Sequence, residues 1–283
     1  VLEAILEARK DEVVGVFCSP DHEGRREDPL KAGAVEKDIP VFQPGRFRSV
    51  DAIQQFNGLY PDLCVMAYVT DIVPMEMIDG PTHGTIQYHP SLLPLHRGPS
   101  SINWPIMMGE TRTGLTIFWP DEGLDTGPVL LQKEVQIGPD DTLGSVYFNS
   151  LYPMGISAML ESIDLVRDGN APKIVQDESK ATYESWVKAS DGAIDWLLPA
   201  QQIYNVIRGC NPQPGAGSTY ADERLRIFDS ALGTSGMSGS EPGTVISSGE
   251  EGFEVATGDG SVLVKRVQRH GGQKEPAAEF ASA

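Results

Sequence analysis

Apolar positions follow two alternating patterns through the N-terminal part of the chain. Short continuous apolar runs at residues 13–17, 39–42, 63–68, 84–88 and 114–119 are typical of buried strands. Between them, apolar residues recur three or four positions apart, which predicts helices at 28–37, 51–56, 72–78, 100–108 and, at greatest length, 142–168. Because strands alternate with helices, we expect an α/β fold with a mostly parallel sheet covered on both faces.

The pattern changes after Gly169. Residues 170–190 begin with a polar stretch that contains Pro172, as a linker would. One helix is then predicted at 200–208, and the other apolar runs are short strands at 225–228, 243–246, 253–256 and 261–267. This predicts a small, OB-like antiparallel β-barrel. The predicted domains are therefore 1–169 and 191–283, joined by a linker at 170–190.

Composition narrows the classes of partner. The 283 residues carry 22 Lys and Arg against 40 Asp and Glu, a formal net charge of −18, which repels nucleic acid at long range. No run approaches the roughly 18 apolar residues of a membrane helix, so no membrane partner is expected. The three cysteines include no Cys-x-x-Cys pair, which favours reduced thiols and a cytoplasmic location.

A histidine and a carboxylate lie on two turns that each follow a predicted strand. His89 opens a Pro-Ser-Leu-Leu-Pro turn, and Asp125 lies in a Gly-Leu-Asp-Thr-Gly turn. An imidazole titrates near neutral pH, and a carboxylate can orient it and stabilise its charged form. The pair is therefore a candidate for general acid–base catalysis, although an isolated histidine is more often structural.

These two segments resemble the signature of the folate-dependent formyltransferases. That family pairs Asn-x-His-x-Ser-Leu-Leu-Pro-x-x-Arg-Gly with Asp-x-Gly-x-Asp-Thr-Gly, and the matching segments here are residues 87–98 and 121–127. Tyr-His-Pro-Ser-Leu-Leu-Pro, Ile-Asn-Trp and Ile-Phe-Trp are shared in particular with the hydrolase domain of 10-formyltetrahydrofolate dehydrogenase. The resemblance implies a Rossmann-like catalytic domain that uses 10-formyltetrahydrofolate as formyl donor.

The resemblance also implies roles for individual residues. His89 would be the general acid and base, Asp125 would pair with it, and residue 87 would face the reacting carbonyl. Transferases carry Asn at that position, whereas this chain has Gln87. Either Gln87 is an imperfect oxyanion donor, or it only caps the pocket, as an apolar residue does in the hydrolase relatives.

The expected folate pocket is formed by two further segments. By resemblance these are the loop after the predicted strand 63–68 and the turn after His89, and Arg97 could reach the folate tail. The residues are Asp71, Ile72, Val73, Ser91, Leu92, Leu93, Pro94 and Arg97. Each of these residues also has a structural alternative. Ile72 and Val73 could simply pack in the core, and the Ser-Leu-Leu-Pro segment could be a plain turn stabilised by its leucines. Arg97 could be a surface charge or the partner of a carboxylate.

The formyl acceptor stays open between several classes. Water or a small amine is favoured over tRNA, because residues 21–28 are short and mixed in charge, unlike the basic loop of methionyl-tRNA formyltransferases. Methionyl-tRNA, an amino sugar, and a folate-binding module with weak catalysis are the alternatives. No Gly-x-Gly-x-x-Gly segment, phosphate-binding loop or Cys/His cluster is present, so neither NADP nor a metal is expected.

The start of the chain departs from the family. A doubly wound sheet normally opens with a strand, and family members place that first strand centrally in the sheet. Here the chain begins with a predicted helix at residues 1–10. We therefore expect an absent first strand and a gap in the sheet beside residues 13–17.

Overall fold

The described residues form two compact units. The computed structural model describes residues 1–24, 26–69, 71–234 and 239–282. The first unit comprises Val1–Arg97, Leu115–Lys133 and Tyr152–Thr182, and the second comprises Gly98–Gly114, Glu134–Leu151 and Tyr183–Ala283. Each unit therefore gathers segments that are far apart in the sequence. Among the described residues, no helix has the length and apolar character needed to span a membrane.

Apart from the last one, which was not predicted, the helices lie close to their predicted positions. They are α1 (Leu2–Ala8), α2 (Pro29–Glu36), α3 (Val50–Asn57), α4 (Met75–Ile78), α5 (Asn103–Met107), α6 (Leu143–Val146), α7 (Tyr152–Arg167), α8 (Ala200–Gly209) and α9 (Ala277–Ser282). The predicted long helix at 142–168 forms as α6 and α7, joined by a π-helical turn at Tyr147–Leu151. Pro153 lacks the N–H that a regular α-helix would bond to the carbonyl four residues earlier, which explains the irregularity.

The described residues of the N-terminal part of the chain include six strands, which form two sheets. They are β1 (Val16–Phe17), β2 (Val41–Phe42), β3 (Cys64–Met66), β4 (Thr85–His89), β5 (Arg112–Phe118) and β6 (Val129–Gln136). β1 pairs with β2 in parallel, and the second sheet has the order β3-β4-β5-β6. Among the described residues, no strand pairing joins β1 or β2 to the second sheet, and the expected absent strand stays a prediction.

The four-stranded sheet is mixed, which corrects the prediction of a mostly parallel one. β3 and β4 are parallel, but β5 runs antiparallel to β4, with Thr116 opposite His89. A parallel return needs a crossover long enough to carry the chain back along the sheet. α5 has only five residues, about 7.5 Å of helix, and is too short for that purpose.

β5 lies at the centre of the apolar core of this sheet. Its residues 113–118 are all buried, including Leu115 and Ile117, as expected for a strand covered on both faces. β4 contributes the buried Ile86. At Gly155 in α7, an added Cβ would lie 2.8 Å from the ring of Tyr88, so the glycine allows α7 to pack closely on β4.

The second unit contains an antiparallel sheet. Its strands are β7 (Ala216–Tyr220), β8 (Glu223–Leu232), β9 (Val245–Gly249), β10 (Gly252–Ala256), β11 (Ser261–Arg269) and β12 (Lys274–Pro276). The order is β7-β8-β11-β10-β9, and β12 pairs with β11. Ile203 and Ile207 of α8 join its apolar core. The antiparallel domain is confirmed, whereas its closure into an OB-like barrel stays a prediction.

Candidate active site

His89 and Asp125 lie side by side in the first unit. His89 is the last residue of β4, and its Nδ1 is 3.6 Å from Oδ2 of Asp125. This distance is too long for a good hydrogen bond. The two residues are only 5% and 6% exposed, so the carboxylate acts strongly on the imidazole through a poorly solvated environment.

The other ring nitrogen of His89 fixes its tautomer. Nε2 is 2.9 Å from the carbonyl oxygen of His96. Because a carbonyl oxygen can only accept, Nε2 carries the hydrogen, and the neutral ring turns the lone pair of Nδ1 towards Asp125.

Burial keeps this imidazole in its neutral form. Desolvation lowers the pKa of His89, and the negative charge of Asp125 opposes that change. The His89 ring can therefore accept a proton at Nδ1, next to a carboxylate that stabilises the charged product. This is the arrangement that a general base requires.

The loop that carries Asp125 is held by its own residues. Asp121 Oδ1 accepts hydrogen bonds from the Gly123 N–H, at 3.0 Å, and from Thr126 Oγ1, at 2.6 Å. Asp125 has a left-handed backbone with φ of 59°. At Gly127 an added Cβ would lie 1.8 Å from the Trp119 carbonyl oxygen. The Asp-x-Gly-x-Asp-Thr-Gly pattern thus specifies the shape of the loop as well as its carboxylate.

The turn after β4 is held by two residues that sequence reasoning missed. Thr116 Oγ1 donates to the Ser91 carbonyl at 2.7 Å and accepts from the Leu93 N–H at 3.1 Å. Gln132 Nε2 donates to the Leu93 carbonyl at 2.7 Å. Ser91 Oγ closes the turn on the carbonyl of Leu95 at 2.6 Å. The available signal was a polar residue, Thr116, inside the apolar run of β5.

These bonds limit what the turn can offer a ligand. The main-chain groups of Ser91 and Leu93 are already bonded to the protein, and the Pro94 carbonyl accepts from the Thr182 N–H. Leu92 and Pro94 are half-buried, and Leu93 is buried. The turn therefore presents apolar side-chain surface more than free hydrogen-bonding groups.

Gln87 lies on the same side of β4 as His89, two residues earlier. It is half-buried and lies opposite Met66 in β3 and Phe118 in β5. Over the part of the chain that the structure describes, its carboxamide makes no hydrogen bond. The Gln87 donor is therefore available to a ligand.

The segment 71–73 follows β3 at the edge of the sheet where β4 also ends, because the two strands are parallel. Asp71 and Ile72 are exposed and Val73 is half-buried. Ile72 has 69% of its surface exposed, which excludes plain core packing for this side chain.

Arg97 contacts protein groups through each of its guanidinium nitrogens. Nη1 donates to Glu178 Oε2 at 2.9 Å, Nη2 bonds to both Glu178 and Gln176, and Nε donates to Gln176 Oε1 at 3.3 Å. The residue is 7% exposed. Of the predicted alternatives, this arrangement matches a carboxylate partner and argues against a contact with the folate tail.

Two other expectations concern metal ligands and charge. No group of three or more His, Cys, Asp or Glu within the described ranges is placed to hold a metal ion. In the segment 21–28, Asp21 pairs with Lys31 of α2. Arg25 is one of the two arginines that this segment could offer to a phosphate group, and it lies outside the described residues.

Two family models match the sequence over the regions that contain these elements. The model described as Formyl transferase matches residues 1–161, and the model described as Formyl transferase, C-terminal domain, matches residues 187–283. The chain belongs to the formyl transferase family. The predictions of this family and of an enzyme are thereby confirmed.

The curated relatives include two kinds of formyl transferase protein. Cytosolic 10-formyltetrahydrofolate dehydrogenase of Mus musculus is 40% identical over 98% of this chain and 32% of its own length. Methionyl-tRNA formyltransferase of Trichlorobacter lovleyi is 37% identical over 99% of this chain and 88% of its own length. The chain thus spans about a third of the dehydrogenases and most of the tRNA enzyme.

Solved structures share the fold. HypX from Aquifex aeolicus, in complex with tetrahydrofolic acid, has a TM-score of 0.69 at 20% identity over 88% of this chain and 43% of its own. WlaRD, a sugar 3N-formyl transferase, has a TM-score of 0.71 at 20% identity over 93% of this chain and 91% of its own. At this identity the likeness concerns the fold alone.

Proposed function

We propose that the chain transfers or hydrolyses the formyl group of 10-formyltetrahydrofolate and releases tetrahydrofolate. The observation that carries the proposal is the buried His89–Asp125 pair, with the unbonded carboxamide of Gln87 on the same side of β4. Two proteins of similar fold were crystallised with folates, HypX in complex with tetrahydrofolic acid and WlaRD in the presence of 5-N-formyl-THF, which supports the choice of donor.

In the proposed reaction, His89 acts first as base and then as acid. Nδ1 takes a proton from the nucleophile, water or an amine, as the nucleophile bonds to the formyl carbon. Asp125 stabilises the resulting imidazolium. The bond from the formyl carbon to N10 then breaks, and N10 receives the proton from His89. Water gives formate, an amine gives its formamide, and tetrahydrofolate leaves in both cases.

Gln87 would stabilise negative charge on the formyl oxygen. Its carboxamide is a suitable donor, but it lies one methylene further from the backbone than the Asn of the transferases. Oxyanion donors act over a narrow range of distances, and the loss of one costs about 10²–10³ in rate. We therefore expect slow formyl release, and an increase in turnover for Gln87→Asn. Unchanged turnover in both Gln87→Asn and Gln87→Leu would instead favour the pocket-capping role.

The folate would bind at the edge of the sheet where β3 and β4 end. Ligands of open α/β sheets bind at the carboxyl ends of the strands, and a flat heterocycle needs an apolar slot with a few polar groups. Ile72 and Val73, with the half-buried Leu92 and Pro94 of the turn, would supply apolar surface, and Asp71 would supply a carboxylate; the buried Ser91 and Leu93 would shape the turn. Arg97 has no part in this proposed pocket.

Water or a small amine is the favoured acceptor. The net charge of −18 disfavours tRNA, and Asp21 already neutralises Lys31 beside the segment 21–28. Methionyl-tRNA stays the second candidate, because the tRNA formyltransferase relative matches this chain over 88% of its own length. A cytoplasmic location stays a prediction, since the relatives' names include both cytosolic and mitochondrial proteins.

The test is incubation with 10-formyltetrahydrofolate alone, followed by addition of Met-tRNA or of amino sugars. Release of tetrahydrofolate without an acceptor indicates hydrolysis, and release only with an acceptor identifies that acceptor. His89→Gln and Asp125→Asn should abolish turnover and retain folate binding, because both residues act at the reacting centre. If the wild-type chain binds folate without turnover, it is instead a folate-binding module. If it neither binds nor turns over the folate, the proposal is wrong.

A further inference from the structure

The segment 172–182 contacts both loops of the candidate active site. It lies in the stretch 162–186 that neither family model matches, within the region that the sequence predicts as linker. One end is anchored near β6, where Ile174 exchanges backbone hydrogen bonds with Val129 at 2.8 and 2.9 Å, and the Pro172 carbonyl accepts from Trp119 Nε1 at 2.9 Å. The segment is therefore attached by these hydrogen bonds to the part of the first unit that carries the Asp125 loop.

Gln176 joins the two loops through one buried side chain. Its Nε2 donates to the carbonyl oxygens of Asp125, at 2.9 Å, and Gly127, at 2.7 Å. Its Oε1 accepts from Arg97, whose guanidinium can only donate. Gln176 is 7% exposed. The orientation of its amide is fixed, because Oε1 faces hydrogen-bond donors and Nε2 faces acceptors. Gln176 therefore links Arg97, the residue after His96, to the backbone of Asp125.

Thr182 holds the other side of the site. Its Oγ1 accepts from the His96 N–H at 2.8 Å, its carbonyl accepts from the Arg97 N–H, and its N–H donates to the Pro94 carbonyl, both at 3.1 Å. His96 has a left-handed φ of 54°, and its carbonyl is the acceptor for His89 Nε2. Thr182 therefore fixes the peptide that orients the imidazole.

We propose that Gln176 and Thr182 are positioning residues that set the separation of His89 and Asp125. The inference rests on the proposed function, since the pair they position is the proposed general base and its carboxylate. Gln176 acts through the Asp125 loop, and Thr182 acts through the His96 carbonyl. A displacement of about 1 Å in such a pair costs on the order of 10²-fold in rate.

The first experiment is a titration of the His89 ring by NMR, which needs no substrate. Gln176→Met keeps the length of the side chain and removes all of its hydrogen bonds without adding charge. We expect the His89 pKa to fall below its wild-type value, because the Asp125 carboxylate that opposes the desolvation effect moves away. His22, His83 and His270, which lie outside these contacts, serve as internal references.

The second experiment measures turnover of 10-formyltetrahydrofolate. Gln176→Met should lower kcat about 10²-fold with little change in folate affinity, because it acts through the position of the Asp125 carboxylate. Gln268→Met is the matched control. Gln268 Nε2 also donates to a backbone carbonyl, that of Gly272 at 2.7 Å, in the second unit.

The outcomes separate this inference from the proposed function. A wild-type chain without turnover overturns the proposed function, and the His89 titration still tests positioning. A lower melting temperature with unchanged His89 titration and unchanged kcat would mean that Gln176 is only structural, and would overturn the inference. Should Gln176→Met fail to fold, Thr182→Val provides the same two readouts, since it removes one hydroxyl acceptor and retains both backbone hydrogen bonds.

Discussion

Substitution of Gly127 by Ala should disable the site by moving the Asp125 loop. An added Cβ would lie 1.8 Å from the Trp119 carbonyl oxygen and 2.9 Å from its carbonyl carbon. Contacts under 3.0 Å are essentially never made by real Cβ atoms, so the backbone must separate by at least about 1.2 Å. Both groups in the clash are main chain, and rotation of a side chain cannot relieve it.

The displacement is transmitted directly to the candidate catalytic pair. Gly127 is two residues from Asp125, and both of their carbonyls are bonded to Gln176. A shift of roughly 1 Å at a reacting centre costs on the order of 10²-fold, or about 2.7 kcal/mol in the activation free energy. We expect kcat to fall by that factor and folate affinity to change little.

The assay is turnover of 10-formyltetrahydrofolate together with a folate-binding measurement on the same preparations. Gly249→Ala is the control, because no atom lies within 4 Å of its added Cβ and its backbone is not left-handed. Wild-type kcat in a folded Gly127→Ala protein would show that the position of Asp125 does not limit the rate, and would refute the reasoning.

Three further predictions follow from burial. Desolvation lowers the pKa of His89 below the ordinary imidazole value of about 6.5. We therefore expect kcat/KM to stay constant as the pH falls from 8 to about 6.5 and to decrease only below that pH. A decrease in kcat/KM centred above pH 6.5 would contradict a buried neutral base. The same shift means that the unfolded chain binds a proton below about pH 6.5 that the folded chain does not, so the free energy of unfolding should fall with decreasing pH in that window. Urea titrations of wild type and His89→Gln at pH 5.5 and 7.5 check this, and an equal pH dependence in both proteins would rule out His89 as its source. Burial raises the pKa of Cys64 to about 11 and that of Cys210 to about 12. Both thiols should therefore resist iodoacetamide at pH 8 in the native protein and react after denaturation, as measured by mass spectrometry. Rapid labelling of the native protein would contradict these raised pKa values.

Most of the local structure could be predicted from the periodicity of apolar residues. The runs at 63–68, 84–88 and 114–119 overlap β3, β4 and β5, and the helical spacing at 200–208 corresponds to α8. The direction of β5 could not be predicted, because an apolar run has the same pattern in parallel and antiparallel sheets. β6 lies outside the predicted strands, although the exposure of its residues alternates at 131–136 as in a strand with one covered face.

Of the candidate site, only the residues whose side chains take part in the chemistry could be predicted from the sequence. His89 and Asp125 are found through the motif because their side chains are the reactive groups. The neighbours that hold them, Thr116, Gln132 and Gln176, are common polar residues whose importance depends on contacts between distant parts of the chain. Arg97 illustrates the same limit, since its carboxylate partner Glu178 lies 81 residues away.

The distance along the chain between the loops and the segment 172–182 has a consequence for synthesis. The partners Arg97 and Gln176 are 79 residues apart, and His96 and Thr182 are 86 residues apart. On a ribosome, which adds about 5–20 residues per second, His89 and Asp125 emerge seconds before the groups that align them. A nascent chain should therefore carry both motifs before it has a competent site. In chimaeras between family members, a junction between residues 161 and 176 would replace both aligning groups with those of the other parent, and a junction between 176 and 182 would replace only Thr182.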